Sequence, residues 1–463
     1  MNPKLHLFRN IALWAGLITV AACTGASGSS SAFVESAIPC PKSAAPCNMI
    51  RGYPGNSAGS GVTGATISGG GVQGLPNQVS GNQGTVGGGD GNLAGEGSTV
   101  AGGIGNIALH FHASVSGGTN NLADAEEATI GGGLNNTASG PSATVGGGAQ
   151  NLASASFTSI GGGAGNEANY IFATVGGGTF NQASNEAGVV SGGNYNRAQG
   201  SYSSILGGIN NTAVGSGAAI GGGAGNTATG SYTTIPGGFA NSAAGDYSFA
   251  AGRGANVNAE NPGSFLFADS NIFQFPSIAP NEFAVRATGG VRFITAIDSS
   301  GAALAGVRIS PGSGAWENLS DAQAKAGFAS VNERQVLDRL MSLPISTWSY
   351  RGQDPSVRHI GPMAQDFYSA FQVGDDTHYI STVDEEGVAL AAIQELARLV
   401  QQVQVQSITT SPSEDSALSR QVTSLERQLT YSNGLAAAAL LTAILALWRP
   451  KRTTPRSTPR RHL

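Results

Sequence analysis

A hydroxyl and an amine stand five residues apart in the stretch SDAQAK, at Ser320 and Lys325. A serine hydroxyl is a poor nucleophile until a base takes its proton, and a lysine serves as that base only where burial lowers its pKa well below ~10.4. Read alone, SDAQAK is an N-cap serine starting a helix, so the pair acquires meaning only from its surroundings. Downstream, His359 opens HIGPMAQDF, which also holds Gln365 and Asp366. His359 reads equally well as a core histidine, and His378, Asp384 and Glu385 as solvated loop residues or caps. Of the three cysteines, Cys40 and Cys47 lie in CPKSAAPC and could close a small disulfide loop outside the cytosol, which leaves Cys23. GxGxxG-like strings occur throughout, but none opens an apolar helix as a dinucleotide site requires. No cofactor and no metal site is expected.

The elements that carry these groups are built from small residues. Of 463 residues only 11% are charged, whereas 70 are glycine. Glycine does not recur at every third position with abundant proline, which excludes a collagen triple helix. A 40% hydrophobic content excludes a disordered polymer, although aromatics reach only 7%. The last 15 residues carry six of the cations, so a chain of net charge −5 leaves −11 on the rest and makes nucleic acid an unexpected partner. At the other end, Lys4 and Arg9 precede the apolar run IALWAGLITVAA and Cys23, the pattern of a signal peptide. VAAC resembles the bacterial lipobox, which implies lipidation of Cys23; an ordinary secretory signal is the alternative.

A repeat governs the middle of the chain. From Val100 to Ile235 a β-branched aliphatic residue stands at every fifteenth position; six residues after each comes asparagine, from Asn106 to Asn241, and two further on alanine, from Ala108 to Ala243. Val86 with Asn92, and Ala250 with Asn256, extend the array. Such a unit is too short for a helix pair and too rich in glycine for a helix, which predicts one turn of a β-solenoid per repeat. Stacking at ~4.8 Å puts the aliphatic column in the core and lets successive asparagine amides bond along the stack. One aliphatic and one alanine per coil look too few to close a core, so association of several chains is expected. The calcium-binding nonapeptide solenoid is excluded by period and by the lack of a regular aspartate.

The string IGGGxxNxAxGxxAT resembles the head repeats of YadA-type trimeric adhesins over residues 86 to about 258. The resemblance implies a homotrimeric left-handed parallel β-roll; that family's stalk and membrane β-barrel have no counterpart here. After it, six of the 17 phenylalanines fall between Phe265 and Phe293, in alternating stretches such as EFAVRA and VRFITAI around Gly289-Gly290, as expected of hairpin strands in a β-rich neck. From Ser320 the pattern turns helical up to Pro344, then extended, then helical again through GVALAAIQELARLVQQV. Ser407 to Asp415 interrupts, and Leu418, Val422, Leu425 and Leu429 form a heptad seam.

NLSDAQAK, VLDRLMSLPISTWSY, HIGPMAQDF and DEEGVALAAIQEL, in that order, resemble the intramolecular chaperone domain of phage endosialidases and tail spikes, a self-cleaving serine peptidase, over about 319 to 405. The resemblance implies trimer registration followed by cleavage before a serine that uses a lysine five residues on. It makes Ser320 the nucleophile, Lys325 the base and Leu319–Ser320 the bond that is cut. His359 or backbone amides would steady the oxyanion, with Gln365 and Asp366 as supporting residues. Gln323, where that family frequently has arginine, and a shortened coiled coil depart from the phage pattern.

The uncharged stretch from Gln428 to Trp448 reaches 21 residues, enough for a slightly polar membrane span, and the RPKR cluster beyond it predicts a cytoplasmic tail. A hydrophobic end of the coiled coil is the alternative. The expected organisation is a signal peptide over 1–23, a linker over 24–66, head repeats over 67–262 and a neck over 263–318. A chaperone domain over 319–412, a coiled coil over 413–430, a candidate span over 431–449 and a basic tail over 450–463 complete it. The fold expected is mainly β, a trimeric left-handed β-roll followed by an α+β domain. The function expected is that of a homotrimeric adhesin of the bacterial cell envelope, binding an unknown surface ligand and associated with the membrane, outer membrane or cell surface. The alternative is a membrane-tethered protein whose self-cleavage releases a fragment as a regulatory step. A glycan-cleaving activity lacks support, since the repeats carry no recurrent carboxylate pair.

Overall fold

The computed structural model describes residues 46–409 and 419–424. They fall into two compact units, one running through Gly289 and the other from Gly290. The expectations on the signal peptide, Cys23, Cys40, the candidate span at 431–449 and the basic tail lie outside the described residues, as does most of the heptad seam. None of the described helices is long and apolar enough to cross a membrane.

The first unit is a parallel β-solenoid made of two long ladders, of 17 and 15 strands. Parallel pairing begins at Met49–Ile50, opposite Thr66–Ile67. A typical coil contributes Ser159–Ile160 to one ladder and Glu167–Ala168 to the other. Ile160 lies between Val145 and Val175, and Ala168 between Ala153 and Ala183, so the fifteen-residue period is the register itself. Inward-facing Ile160 and Ala168 are fully buried, while their neighbours Ser159 and Glu167 face outward, as the two-residue periodicity of a strand requires.

Between the two strands the chain turns at Gly163, whose φ is +90°. A Cβ there would lie 2.0 Å from the carbonyl oxygen of Gly178 in the next coil, so glycine is needed for both conformation and space. Asn166, fully buried, donates from Nδ2 to the carbonyls of Gly162 and Gly178, both at 2.9 Å, and its Oδ1 accepts the N–H of Asn181. The asparagine column thus supplies polar partners to backbone that the turn takes away from water.

The premise that one chain's coils are too poor in apolar residues to close a core is corrected here. The aliphatic column is closed within a single chain, and Ile130, Ile160, Ile205 and Ile235 are fully buried without any partner chain. The two ladders face each other across a thin core, which the alanine column on the opposite wall fills. Each coil's small apolar contribution is shared with the coils above and below, so stacking closes the core without requiring association.

A second correction concerns the neck. Phe283–Arg286 does not form a hairpin across Gly289-Gly290; it pairs in parallel with Phe265–Ala268, which pairs with Phe249–Arg253, and so extends the solenoid. The rings of Phe249, Phe265 and Phe283 stack at 4.3 and 5.0 Å. Alternation of apolar residues reads the same for a parallel as for an antiparallel partner, so EFAVRA could not disclose the direction of its neighbour. The end of the solenoid is tied by Asp269, which takes the Arg286 guanidinium at 2.9 Å and the Thr288 hydroxyl and N–H at 2.7 and 2.9 Å.

The second unit begins with the hairpin, one strand later than expected. Val291–Ile297 runs antiparallel to Ala303–Ile309, and the two-residue strand Glu317–Asn318 adds a third member. Asp298 shapes the hairpin turn by accepting the N–H groups of Ser300 and Ala302. Helix α1 (Glu333–Ser342) starts at Asn332, whose side chain caps Gln335 N–H, and ends before Pro344, as the sequence predicts. Ser346–Trp348 pairs with His359–Gly361, helix α2 (Ala364–Phe371) follows, and helix α3 (Thr382–Thr409) packs against α1. Leu343, Phe367 and Phe371 form the small core. At the α1–α3 contact the buried Glu395 is paired with Arg398 at 2.7 Å, and Arg398 reaches Glu333 at 3.5 Å.

Candidate functional site

Ser320 sits where the chain leaves the edge of the three-stranded sheet. Glu317 lies opposite Arg308 and Asn318 opposite Val307, after which the Leu319 N–H still donates to the Gly306 carbonyl at 3.0 Å. Beyond Ser320 a single turn of 3-10 helix, Ala322–Ala324, folds the chain back. The cap of that turn is Asp321, whose carboxylate accepts the Gln323 N–H at 2.8 Å. The capping role is therefore filled one residue later than SDAQAK alone suggests, which leaves the Ser320 hydroxyl free for Lys325. Lys325 Nζ donates to Ser320 Oγ at 2.6 Å.

This contact gives the five-residue spacing its physical meaning. A 3-10 turn advances about 2 Å per residue, and the four-carbon stem of lysine spans that distance in reverse. For base catalysis the amine must be neutral and accept the hydroxyl proton. Both residues stand exposed in the single chain, so its own fold does not supply the burial that such a base needs.

Leu319 and Ser320 border a cleft of about 390 Å³, whose walls include Ile294, Val307, Arg292, Arg308 and Glu317. Glu317 is gripped by Arg308 Nε at 2.7 Å and by the Ser310 hydroxyl at 3.0 Å. These two hydrogen bonds, the arginine's first, hold its carboxyl below the usual carboxylate range. The sequence reading missed Arg308, Ser310 and Glu317. The available signal was two opposite charges flanking a Pro311-Gly312 turn, which is also what many unrelated hairpins show.

The remaining expected site residues are placed elsewhere. His359 lies in the short second sheet opposite Trp348, its ring 4.8 Å from the indole and 5.4 Å from Tyr350, with Nε2 at 2.9 Å from Gln353 Oε1. It makes no hydrogen bond to Ser320 or Lys325. Gln365 and Asp366 project from the first turn of α2 into solvent. His378 pairs with Asp376, while Asp384 and Glu385 open α3. Cys47 is disulfide-bonded. Among the described residues no cluster of His, Cys, Asp and Glu could hold a metal ion.

No curated protein matches the chain. Residues 320–373 match the family described as the chaperone of endosialidase, so the matched segment begins at Ser320 itself.

Proposed function

We propose that the protein is a homotrimeric fibrous adhesin of the bacterial cell envelope, whose C-terminal chaperone registers three chains and is then severed from the solenoid by cleavage in cis between Leu319 and Ser320. The observation that carries this reading is the 2.6 Å contact between Lys325 Nζ and Ser320 Oγ at the first residue of the chaperone-like segment. In the reaction, neutral Lys325 takes the hydroxyl proton and Ser320 Oγ attacks the Leu319 carbonyl carbon. The C–N bond breaks as the leaving amine receives that proton, giving an ester, and water then hydrolyses the ester to a Leu319 carboxylate and a free Ser320.

Trimerisation would bury the exposed pair and so trigger the base. An uncovered stripe on α3 supports it: Val383, Leu390, Ile393 and Val400 are exposed at heptad spacing, while Ala392 and Glu395 on another face are buried. The adhesin role rests on the resemblance of the repeats to YadA-type heads, and placement at the envelope rests on the N-terminal pattern. The test is expression of the full chain followed by denaturing electrophoresis and intact mass. Wild type should give fragments ending at Leu319 and starting at Ser320, whereas Ser320→Ala and Lys325→Ala should each remain one band. Ordinary cleavage of Ser320→Ala would overturn the assignment.

A further inference from the structure

The strand that delivers the chain to Ser320 has only two residues, Glu317 and Asn318. So short an edge strand has few ladder bonds, and a slip of two residues keeps each side chain on its own face of the sheet. Such a slip would carry the Leu319–Ser320 bond about 7 Å along the strand direction. Downstream, the Asp321 cap and the Lys325 contact anchor the chain from the other side of the bond. Holding the bond in place from the upstream side therefore needs a contact that distinguishes registers.

The Glu317 carboxylate is that contact. In the observed register it faces Arg308, and Oε2 receives both the Arg308 guanidinium at 2.7 Å and the Ser310 hydroxyl at 3.0 Å. Arg308 is flanked on its other side by Arg292, directly opposite in the hairpin, so an anion at position 317 also offsets a cross-strand pair of like charges. A slip of two residues in either direction would set Ala315 or Leu319 against Arg308, and neither can take a guanidinium. The pair is largely exposed and stabilises only modestly. Its influence comes from the marginal length of the strand it registers.

We infer that Arg308 and Ser310, acting through Glu317, are positioning residues that fix the register of the incoming strand and thereby hold the Leu319 carbonyl and Ser320 at the sheet edge where Lys325 reaches the Ser320 hydroxyl. This inference rests on the self-cleavage reading. It deepens that reading by naming what holds the bond in place for attack.

The test is a time course of cleavage of the full-length chain, with product termini read by intact mass and Ser320→Ala as the uncut control. Glu317→Ala and Arg308→Glu should each slow cutting about fivefold, and the swapped pair Arg308→Glu/Glu317→Arg should return to within about twofold of wild type. Damage unrelated to the charge pair would not be repaired by exchanging the charges. Raising ionic strength should slow wild type more than Glu317→Ala, a readout that holds even where one variant folds poorly. Glu317→Ala cut at the wild-type rate, or a swap no better than the single changes, overturns the positioning role while the dyad stands. A wild type that stays uncut, like Ser320→Ala, overturns the self-cleavage reading and the positioning role with it.

Discussion

Asn151 donates from Nδ2 to the carbonyls of Gly147 and Gly163 at 2.9 and 3.0 Å and to Asn136 Oδ1 at 3.1 Å, while its own Oδ1 accepts the Asn166 N–H at 3.0 Å. Asn151→Ala would leave several of these groups buried without a partner, at about 1–3 kcal/mol each. A loss of about 3 kcal/mol is expected in urea denaturation of a solenoid segment, against a negligible change for truncating an exposed side chain such as Thr144. Ile160→Asp should cost several kcal/mol as well, and because Ile160 is buried by its own chain, the penalty should be independent of protein concentration. At the site, the relation of Ser320 to Lys325 was legible only through the resemblance of the surrounding blocks, because SDAQAK alone reads as a helix cap. The grip on Glu317 and the Gln353 partner of His359 were not, because both depend on which strands meet, and one sequence offers many charge and amide pairs that could.

Among the elements, the coils were the most legible, since a strict period converts directly into a parallel register. What the period hides is the partner of any stretch outside it, as Phe283–Arg286 shows by joining the solenoid where a hairpin was expected. It also hides how far two facing strands can close a core. Within a coil the turn discriminates sharply between adjacent glycines. Gly163→Ala should destabilise the head strongly, because it combines a left-handed φ with a backbone clash, whereas Gly162→Ala meets nothing within 4 Å and should be tolerated. Comparing the thermal midpoints of the two variants checks this.

The tie at the end of the solenoid is pH-sensitive in a defined direction. Hydrogen bonds from Thr288 above all, then from Asn271 and Arg286, hold the Asp269 carboxyl well below its usual range. A depressed carboxylate pKa contributes stability that is fully present above the ordinary value near ~3.9 and is lost as pH falls below it towards the native value. Amide exchange over residues 265–288 should therefore be steady above about pH 4.5, allowing for the intrinsic pH dependence of exchange, and accelerate below it. Asp269→Asn should remove the acid-dependent part.

At the scale of the whole molecule, the proposed trimer predicts a mass three times that of the chain for full-length Ser320→Ala in light scattering. Ile393 and Val400 are exposed on α3, so Ile393→Asp/Val400→Asp should leave the single chain folded but reduce it to monomers; an unchanged trimer would place the interface elsewhere. The common period of the aliphatic, alanine and asparagine columns reaches further still. Excising any fifteen consecutive residues from the regular array joins equivalent positions, so the aliphatic, alanine and asparagine columns each stay continuous. Gain or loss of whole repeats would therefore add or remove coils in steps of ~4.8 Å without asking for a new fold. Copy number then becomes a heritable ruler, by which lineages can reset the length of the solenoid.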